Sequence, residues 1–427
     1  MRVIKQSAKS AFSFNAGLSR KVSRILAKVK KGGEAAVLKF EKKFSGANLK
    51  TVSVSKARIK AAYNLLNSET IDALHFSAGR ILEFAKKQKE CILPLNYQSL
   101  NGAMELGHSL RPVERCGCYV PAGRHPLPSS ALMSVITAKA AGTPYAAACS
   151  PPFSGNSPGG CDIHPAVLAA LDIAGADEVF CMGGAQAVAA FAYGAGPVPA
   201  VDLIAGPGNR FVTEAKRQIL GIAGIDSLAG PSEVLIIADE SARADFIAAD
   251  LLAQAEHDSA AIATLVTTSL DLAREVERRI EESALTVDAS GTASRSWREN
   301  GGILLADSID EAIEFANAAA PEHLELQVAP GIEKETAQKL KAYGSLFAGH
   351  YAPTAFGDFV SGTNHILPTM GAARFSSGLW VGSFLRVQFN QFVSWQACEK
   401  LAGPCAAFAN IEGLNAHAES VKIRRQP

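Results

Sequence analysis

The chain has 427 residues, of which 48% are hydrophobic and 19% are charged, and its formal net charge at pH 7 is +1. A chain of this length and composition can bury a sizeable core and favours two or more domains. The nearly balanced charge indicates neither a polyanionic partner nor a membrane surface, and the absence of a long uncharged apolar run argues against a membrane-spanning helix.

From about residue 10 to residue 90 the pattern predicts mainly helix. Nine Lys or Arg residues and no acid precede Glu34, as in organelle transit peptides. The same segment also places Val22, Ile25 and Val29 on one side of an amphipathic helix. We therefore expect an integral structural element rather than a targeting segment.

Apolar strands then alternate with helices in two series. The first series contains the strands CGCYVP, YAAACS, EVFCMGG and VDLIAG, and the second contains EVLIIAD, IATLVTT, GILLAD, LELQV and SLFAG. This alternation is typical of parallel, doubly wound sheets. The predicted fold class is α/β, with two related doubly wound domains after a helical N-terminal region.

The last fifty residues break this rhythm. They are rich in aromatic residues, and we predict them to be helical with no strand of their own. A tail of this kind needs another surface to cover, and a second subunit would provide one.

The eight cysteines contain no CxxC pair and follow no regular spacing. Cys116 and Cys118 would point to the same face of a strand, and no further soft ligand lies near them in the sequence. Packing is therefore the better interpretation than metal binding. Reduced thiols in a cytoplasmic protein fit this usage.

A polar residue interrupts the apolar stripe of the helix that contains LLAQAEHDSA. Gln254 lies almost in line with Ile247 and Leu251, so its amide should face the core, and His257 follows three residues later. The pattern fits a hydrogen-bonded core glutamine beside a partly exposed histidine. The alternative is that both side chains are directed at one ligand, such as a metal ion.

Three loops follow a strand and precede a helix, the positions where open α/β sheets bind ligands and where helix N-termini favour anions. They are residues 119–130, 183–186 and 206–209. None matches GxGxxG, so the sequence indicates nucleotide binding only weakly.

The segment APEHLEL places Glu322 beside His323 at the start of an apolar strand. An adjacent acid and base can share proton transfers, because histidine titrates near neutrality and burial raises the pKa of a carboxyl group towards it. Without further context, two solvated polar residues in a loop explain the segment as well.

Further polar residues with ligand chemistry occur towards the C-terminus. Asp358 and His365 lie in a glycine-bounded loop, and Glu412 and His417 lie in a short polar segment. A shell of Gln254, His257, Asp358 and His417 would combine nitrogen and oxygen ligands, which suits zinc. Their spacing in the sequence does not show that they meet.

Six segments together resemble the histidinol dehydrogenase family: GGAQA, GPGN, AGPSEVLIIAD, QAEH, PEHLEL and GDFVSGTNHILPT. The resemblance covers nearly the whole chain from about residue 20. It implies the four-electron oxidation of a primary alcohol, through the aldehyde, to a carboxylate in two NAD-dependent steps at a zinc site. The nominal reaction converts L-histidinol to L-histidine.

The resemblance also implies roles for individual residues. One zinc ion per subunit would be held by Gln254, His257, Asp358 and His417. The catalytic pair would be Glu322 and His323, and the cofactor contacts would be Tyr119, Gln186 and Asn209. Substrate contacts would be Ser232, His365 and Glu412, together with the metal ligands and the catalytic pair.

The same resemblance implies a division of the chain into Rossmann-like domains. A first α/β domain with the metal and catalytic residues would comprise residues 21–118 and 234–378, interrupted by an NAD-binding domain at 119–233. Residues 1–20 would form an N-terminal extension. Residues 379–427 would form a tail exchanged between the subunits of a homodimer, so that His417 of each subunit reaches the active site of the other.

Two segments depart from the typical histidinol enzyme. The loop VPAGRHPLPSS has Arg124 and His125 in place of small neutral residues, and it resembles, as does GAARFSSGLWVGSFL, the sulfopropanediol dehydrogenase branch of the family. Arg124 would suit a sulfonate substrate or the cofactor pyrophosphate equally. Oxidation of 2,3-dihydroxypropanesulfonate is therefore the alternative to oxidation of L-histidinol.

Two hypotheses remain that assign the protein to another functional class. A zinc-dependent hydrolase would use metal-bound water and no nicotinamide, and a zinc-stabilised structural protein would have lost its chemistry. Neither needs Glu322 and His323 together with three cofactor positions.

Overall fold

The computed structural model describes residues 1–6, 15–122, 125–153, 163–287 and 291–425. Over these ranges, none of the helices combines the length and the apolar character needed to span a bilayer. The α-helices are Ala16–Phe44 (α1), Lys56–Tyr63 (α2), Ser68–Glu90 (α3), Pro128–Ala141 (α4), Pro165–Ala174 (α5), Gly184–Tyr193 (α6), Arg210–Ile219 (α7), Ala244–Ala255 (α8), Leu270–Val287 (α9), Thr292–Asn300 (α10), Ile309–Ala319 (α11), Glu333–Lys339 (α12), Thr354–Phe359 (α13), Trp395–Ile411 (α14) and Asn415–Lys422 (α15).

Three β-sheets organise the described chain. Their strands are Arg2–Lys5 (β1), Leu95–Ser99 (β2), Met104–Pro112 (β3), Arg115–Tyr119 (β4), Tyr145–Ser150 (β5), Glu178–Cys181 (β6), Leu203–Ala205 (β7), Gly224–Ile225 (β8), Glu233–Ala238 (β9), Ile262–Thr267 (β10), Gly302–Leu305 (β11), His323–Gln327 (β12), Ser345–Ala348 (β13) and Leu385–Val393 (β14).

The five-stranded sheet is entirely parallel, with the order β6-β5-β4-β7-β8. Alternate residues of its strands enter two different cores, because successive side chains of a strand point to opposite faces. Cys116 and Cys118 pack in the core on one face, and Tyr119 and Cys149 pack in the core on the other. The predicted packing role of the buried cysteines is confirmed, and so is a doubly wound sheet.

The six-stranded sheet has the order β1-β11-β10-β9-β12-β13. All of its pairings are parallel except that of β1 with β11. Val234 and Ile236 face the core beneath α8, α9 and α10, whereas Leu235 and Ile237 face the core on the opposite side, which includes α11. From β9 onwards the strand order is the same as in the first sheet, so the prediction of two related α/β units is confirmed.

The prediction that the last fifty residues add no strand is wrong. β14 pairs along its whole length with β3, which in turn pairs with β2, and the three form an antiparallel sheet. Its start, LRVQFN, alternates apolar and polar residues, a pattern that favours a strand. The helices α14 and α15 follow it, so the tail is helical only from residue 395 onwards.

The amphipathic helix predicted near the N-terminus is confirmed as α1. Asn15 caps it by accepting hydrogen bonds from the backbone N–H groups of Gly17 and Leu18, and Val22 and Val29 are fully buried. α1 packs against α6 and α7, and α3 packs against α4. The N-terminal helices thus lie on the five-stranded sheet. The domain boundaries predicted above stay a prediction.

Candidate active site

The predicted cofactor residues lie at the carboxyl edge of the five-stranded sheet. Tyr119 ends β4, Gln186 lies in the first turn of α6 after β6, and Asn209 caps α7 after β7. The strand order changes direction between β4 and β7, because β5 and β6 continue on one side and β8 on the other. Such a switch point is where doubly wound sheets bind dinucleotides.

A buried glutamate that the sequence reasoning missed organises the start of α6. Glu41 of α1 accepts hydrogen bonds from the Gly183 backbone N–H at 2.8 Å and from Gln186 Nε2 at 2.9 Å. Tyr119 Oη accepts a hydrogen bond from the next backbone N–H, that of Gly184, at 3.0 Å. Burial raises the pKa of Glu41. The Gln186 amide nitrogen is therefore engaged within the protein, which directs its oxygen away from Glu41.

The loop after β7 is held by a buried ion pair. Lys216 Nζ donates to the Gly206 carbonyl oxygen at 2.9 Å and pairs with Asp226, whose other oxygen accepts the Gly206 backbone N–H at 2.7 Å. Gly206 has a φ of 116°, and a Cβ atom there would lie 2.0 Å from the Tyr119 carbonyl oxygen. Only glycine fits this close approach, which fixes Asn209 relative to Tyr119.

The predicted catalytic pair lies at the amino edge of the six-stranded sheet. Glu322 precedes β12, His323 begins it, and His323 is in register with Val234 of the neighbouring strand β9. The site therefore differs from the common arrangement at the carboxyl ends of strands. Glu322 and His323 are 5% and 4% exposed, so the interpretation of solvated loop residues is wrong.

The surroundings of His323 define its tautomer. Its Nδ1 lies 3.2 Å from the Glu233 carbonyl oxygen, which can only accept, so Nδ1 carries the proton. Its Nε2 then has a lone pair, and this buried atom has no hydrogen-bond partner among the described residues. Burial, together with His257 and His365, lowers the pKa of His323 to about 3. The ring is thus neutral at physiological pH and can accept a proton at Nε2.

Glu322 is a buried carboxyl group with a displaced pKa. Its Oε2 accepts the Glu233 backbone N–H at 2.9 Å, and the Ser232 hydroxyl is also hydrogen-bonded to it. Burial raises its pKa well above the ordinary value, and the charges of Glu233 and Asp358 raise it further. A carboxyl group with a raised pKa is suited to accept a proton from water.

Three of the four predicted metal ligands lie on adjacent elements. Gln254 ends the buried stripe of α8, Asp358 lies on α13, which contacts α8, and His257 Nε2 lies 3.9 Å from Asp358 Oδ2. Gln254 Nε2 is buried without a hydrogen-bond partner among the described residues. Burial raises the pKa of Asp358 to about 6, against the opposing effect of His257.

This donor set fits a zinc ion. Two donors that each lie about 2.0–2.1 Å from zinc in tetrahedral geometry are roughly 3.4 Å apart, close to the separation of His257 and Asp358. The buried amide nitrogen of Gln254 lacks a hydrogen-bond partner among the described residues, so this side chain is available as a further ligand from the neighbouring helix. No cluster of three or more His, Cys, Asp or Glu side chains that could hold a metal occurs in the described ranges.

The predicted substrate residues Ser232 and His365 contact the same group of residues, since Ser232 is hydrogen-bonded to Glu322 and His365 to Asp358. His365 Nδ1 lies 2.9 Å from the Asp358 carbonyl oxygen, and its Nε2 lies 3.2 Å from Ser130 Oγ on α4. Asn364 Nδ2 donates to the Met133 carbonyl oxygen of the same helix at 3.0 Å. The predicted metal and catalytic residues of the six-stranded sheet therefore lie next to α4, the helix that follows β4 of the five-stranded sheet.

Two of the predicted residues are not joined to the others within this chain. Glu412 and His417 are exposed on the tail, and no hydrogen bond or ion pair links either side chain to Gln254, His257 or Asp358 in the part of the chain that the structure describes. Arg124 lies outside the described residues, and the neighbouring His125 is exposed.

Sequence reasoning missed Glu41, Glu233 and Ser130. Glu41 follows the buried Val37 by four residues on α1, so it interrupts an apolar stripe in the same way as Gln254 and could have been found by the same signal. Glu233 is part of the segment AGPSE, and its Oε1 accepts the Met370 backbone N–H at 2.7 Å. Nothing in the sequence distinguishes Ser130 from the serine beside it.

Comparisons with known proteins show the family of this chain. Residues 9–425 match the family described as histidinol dehydrogenase. The chain is 42% identical over 412 residues to histidinol dehydrogenase from Bacillus thuringiensis subsp. konkukian, covering 95% of this chain and 92% of that protein. It is 44% identical over 405 residues to the enzyme of that name from Methanosarcina mazei, covering 94% and 91%.

A solved structure is similar over almost the whole chain. The crystal structure of histidinol dehydrogenase from Elizabethkingia anophelis has a TM-score of 0.89 and 33% sequence identity to this chain, with coverage of 99% of this chain and 94% of the other. The match in family, sequence and fold thus covers nearly the whole chain. The chain belongs to the histidinol dehydrogenase family, whose members are NAD-dependent oxidoreductases that act on a CH–OH group.

Proposed function

We propose that this protein oxidises L-histidinol to L-histidine through the aldehyde, with NAD as the electron acceptor and zinc at the site. The observation that supports this most directly is the neutral His323, whose Nε2 is buried and lacks a partner among the described residues. A general base of this kind is what the removal of an alcohol proton requires. The curated relatives named above favour L-histidinol over other alcohols.

His323 would act as the base in both oxidations. It accepts the hydroxyl proton of the alcohol at Nε2, while Nδ1–H stays bonded to the Glu233 carbonyl oxygen and holds the ring in place. The aldehyde must then add water: Glu322 takes a proton from that water, and His323 gives its proton to the aldehyde oxygen, so that the hydrate forms and Nε2 is free again. His323 accepts the hydroxyl proton of the resulting hydrate, and the carboxylate is the product. Each oxidation removes two electrons as a hydride.

Gln254, His257 and Asp358 would hold the zinc ion together with His417. When bound, zinc would polarise the reacting oxygen of the substrate, and NAD would accept one hydride in each oxidation. Tyr119, Gln186 and Asn209 would contact the cofactor at the switch point of the five-stranded sheet. Ser232, His365 and Glu412 would orient the substrate.

The remaining ligand would come from a second subunit. The tail exposes large apolar side chains, with Phe389 at 87%, Phe408 at 69% and Ile411 at 83% exposure, and exposed apolar surface on this scale favours an interaction site. Glu412 and His417 lie on the same tail and point to no partner of their own chain among the described residues. A homodimer with exchanged tails would cover this surface and complete two identical sites.

The experiment that tests this function compares two alcohols. The protein is incubated with zinc, NAD and either L-histidinol or 2,3-dihydroxypropanesulfonate, and formation of reduced nicotinamide is followed by absorbance while the acid product is quantified. We expect two reduced cofactors for each L-histidinol consumed. A stoichiometry of one with accumulation of the aldehyde would contradict the four-electron reaction, and faster turnover of the sulfonate would assign the protein to the other branch of the family.

A further inference from the structure

A second group of buried polar side chains lies behind the active site. Glu325 is fully buried, and its Oε1 accepts hydrogen bonds from the Thr354 backbone N–H at 3.0 Å and from the Thr354 hydroxyl at 2.6 Å. Its Oε2 accepts a hydrogen bond from Gln327 Nε2 at 3.0 Å. The side chain of Asp250 is hydrogen-bonded to Glu325 as well.

The two carboxyl groups in this cluster share a proton. Neither carboxylate has a donor of its own, so a hydrogen bond between Asp250 and Glu325 requires one of them to be protonated. Burial and the charge of Glu325 raise the pKa of Asp250 to about 8. Glu325 thus accepts three hydrogen bonds, one from Gln327 and two from Thr354, and it shares a proton with Asp250.

The strand and one helix that meet in the cluster carry residues of the active site. His323 lies two residues before Glu325 on β12, so both side chains are on the same face of the strand. Asp358 lies one helical turn after Thr354 on α13. The bonds between Glu325 and Thr354 thus set the distance between the strand that carries the base and the helix that carries a metal ligand.

The second helix completes the arrangement. Asp250 lies one turn before Gln254 on α8, so the two side chains share a face of that helix. Glu325 therefore connects β12, α13 and α8 behind the active site. These are the elements that carry His323, Asp358 and Gln254.

The helix α13 needs such an anchor. It has six residues, and a helix of this length is not stable by itself. Its N-cap, Pro353, offers no side-chain acceptor, so the Thr354 N–H is satisfied by Glu325 from the neighbouring strand. Without that carboxylate, the start of α13 would lose both of its bonds to β12.

We propose that Glu325 is a positioning residue for the active site: it fixes α13 against β12 and α8, and thereby holds Asp358 where it can bind a metal ion together with Gln254 and His257. This inference rests on the proposed function in one respect, namely that these three residues bind zinc. It assigns to Glu325, Thr354 and Asp250 a role that does not involve contact with substrate or cofactor.

The test compares two pairs of variants in the zinc-loaded, full-length protein. Glu325→Leu removes the acceptor, whereas Glu325→Gln keeps an oxygen for Thr354, and the unpartnered Oε1 of Gln327 can turn to accept from the new amide. Thr354→Val removes only the hydroxyl, whereas Thr354→Ser retains it. The readouts are zinc affinity, measured by competition with a chromogenic chelator in the absence of alcohol and NAD, and the KM for NAD.

We expect Glu325→Leu and Thr354→Val to lower zinc affinity by roughly 10- to 100-fold, the usual effect of removing a group that orients a ligand. Glu325→Gln and Thr354→Ser should stay within about threefold of the unaltered protein, and the KM for NAD should not change because the cofactor residues lie on the other sheet. Ser296→Ala is the matched structural control, because Ser296 is a buried hydroxyl bonded to the Ala261 carbonyl oxygen in the same half of the molecule.

Two results would overturn the proposal. One is a Thr354→Val protein that binds zinc as tightly as Ser296→Ala does, and the other is equal loss of affinity in Thr354→Val and Thr354→Ser. If Glu325→Leu does not fold, the difference in zinc affinity between Thr354→Val and Thr354→Ser tests the proposal by itself. Failure of the proposed function is separate, since the unaltered protein would then bind no zinc or leave L-histidinol unoxidised.

Discussion

His323 Nε2 lies 3.7 Å from Asp358 Oδ1, too far for a hydrogen bond, and the ring nitrogen has no other hydrogen-bond partner among the described residues. An unpaired buried acceptor costs about 1–3 kcal/mol of folding free energy. That cost is explained if the substrate hydroxyl supplies the missing donor. The base and the metal ligand then flank the same reacting oxygen.

The two catalytic neighbours should have unequal roles. His323→Ala should slow both oxidations by about 100- to 10,000-fold, the range for the loss of a general base. Glu322→Gln should mainly slow oxidation of the aldehyde, because only that step needs activated water. Steady-state assays with the alcohol and the aldehyde as separate substrates measure the difference. Equal losses in both variants on both substrates would refute the assignment.

Removal of the metal should abolish activity, and loss of one proposed ligand should weaken zinc binding. Dialysis against a chelator should stop oxidation of L-histidinol, and added zinc should restore it. His257→Ala should bind zinc more weakly than the unaltered protein because one of its proposed ligands is lost. Asp258→Ala is a suitable control, since Asp258 is exposed beside His257 and its carboxylate serves only the local turn at Ala260. Activity that persists at undetectable zinc would contradict a metal site.

Arg124 should decide the substrate. If it pairs with a sulfonate, Arg124→Ala should lower kcat/KM for 2,3-dihydroxypropanesulfonate about tenfold, or about 1.4 kcal/mol, because a charge-assisted hydrogen bond is lost. Turnover of L-histidinol should change less. A parallel decrease for both alcohols, together with a raised KM for NAD, would show that Arg124 serves the cofactor instead.

The buried ion pair beneath the cofactor loop should be important for stability. Lys216→Met leaves Asp226 as an uncompensated buried charge, which should lower the free energy of unfolding by about 3–5 kcal/mol. Urea denaturation measures this change. Arg243→Met provides a control, because the ion pair of Arg243 with Asp245 is exposed and should contribute at most about 1 kcal/mol. Similar losses of unfolding free energy in both variants would show that the buried ion pair contributes no more to stability than the exposed one.

Subunit mixing tests the exchanged tail. His257→Ala and His417→Ala should each be inactive, but a mixed dimer would combine an intact His257 with an intact His417 at one of its two sites. If exchange is statistical, half of the dimers are mixed, and activity should rise to about a quarter of the unaltered level. Independent evidence of exchange, such as mass spectrometry of differently tagged subunits, must accompany the assay. No recovery after proven exchange would place His417 at the site of its own chain.

The sequence alone determined the periodic elements of this protein. Strands of continuous apolar residues, alternating with helices, predicted two parallel sheets. A strand in such a sheet is buried on both faces, so its sequence lacks the polar alternate positions of a strand that is exposed on one face. A polar residue within an apolar helical stripe marked Gln254, since side chains three and four residues apart share a face. The identities of the catalytic pair and of the metal ligands came from resemblance, and their burial and adjacency could not be deduced from spacing.

The tertiary structure decided which residues meet. The alternation in LRVQFN favours a strand, but the pairing of β14 with β3 joins positions far apart in the chain, so the sequence pattern does not identify its partner. His323 lies at the amino edge because it begins β12, and the partner of its Nδ1 is a carbonyl oxygen on the neighbouring strand β9, 90 residues earlier in the chain. The bonds of Glu41 to Gln186 and of Glu325 to Thr354 likewise cross between elements. Local periodicity is set by neighbours within a few residues, whereas these contacts depend on chain pairing over long separations, which no local pattern specifies.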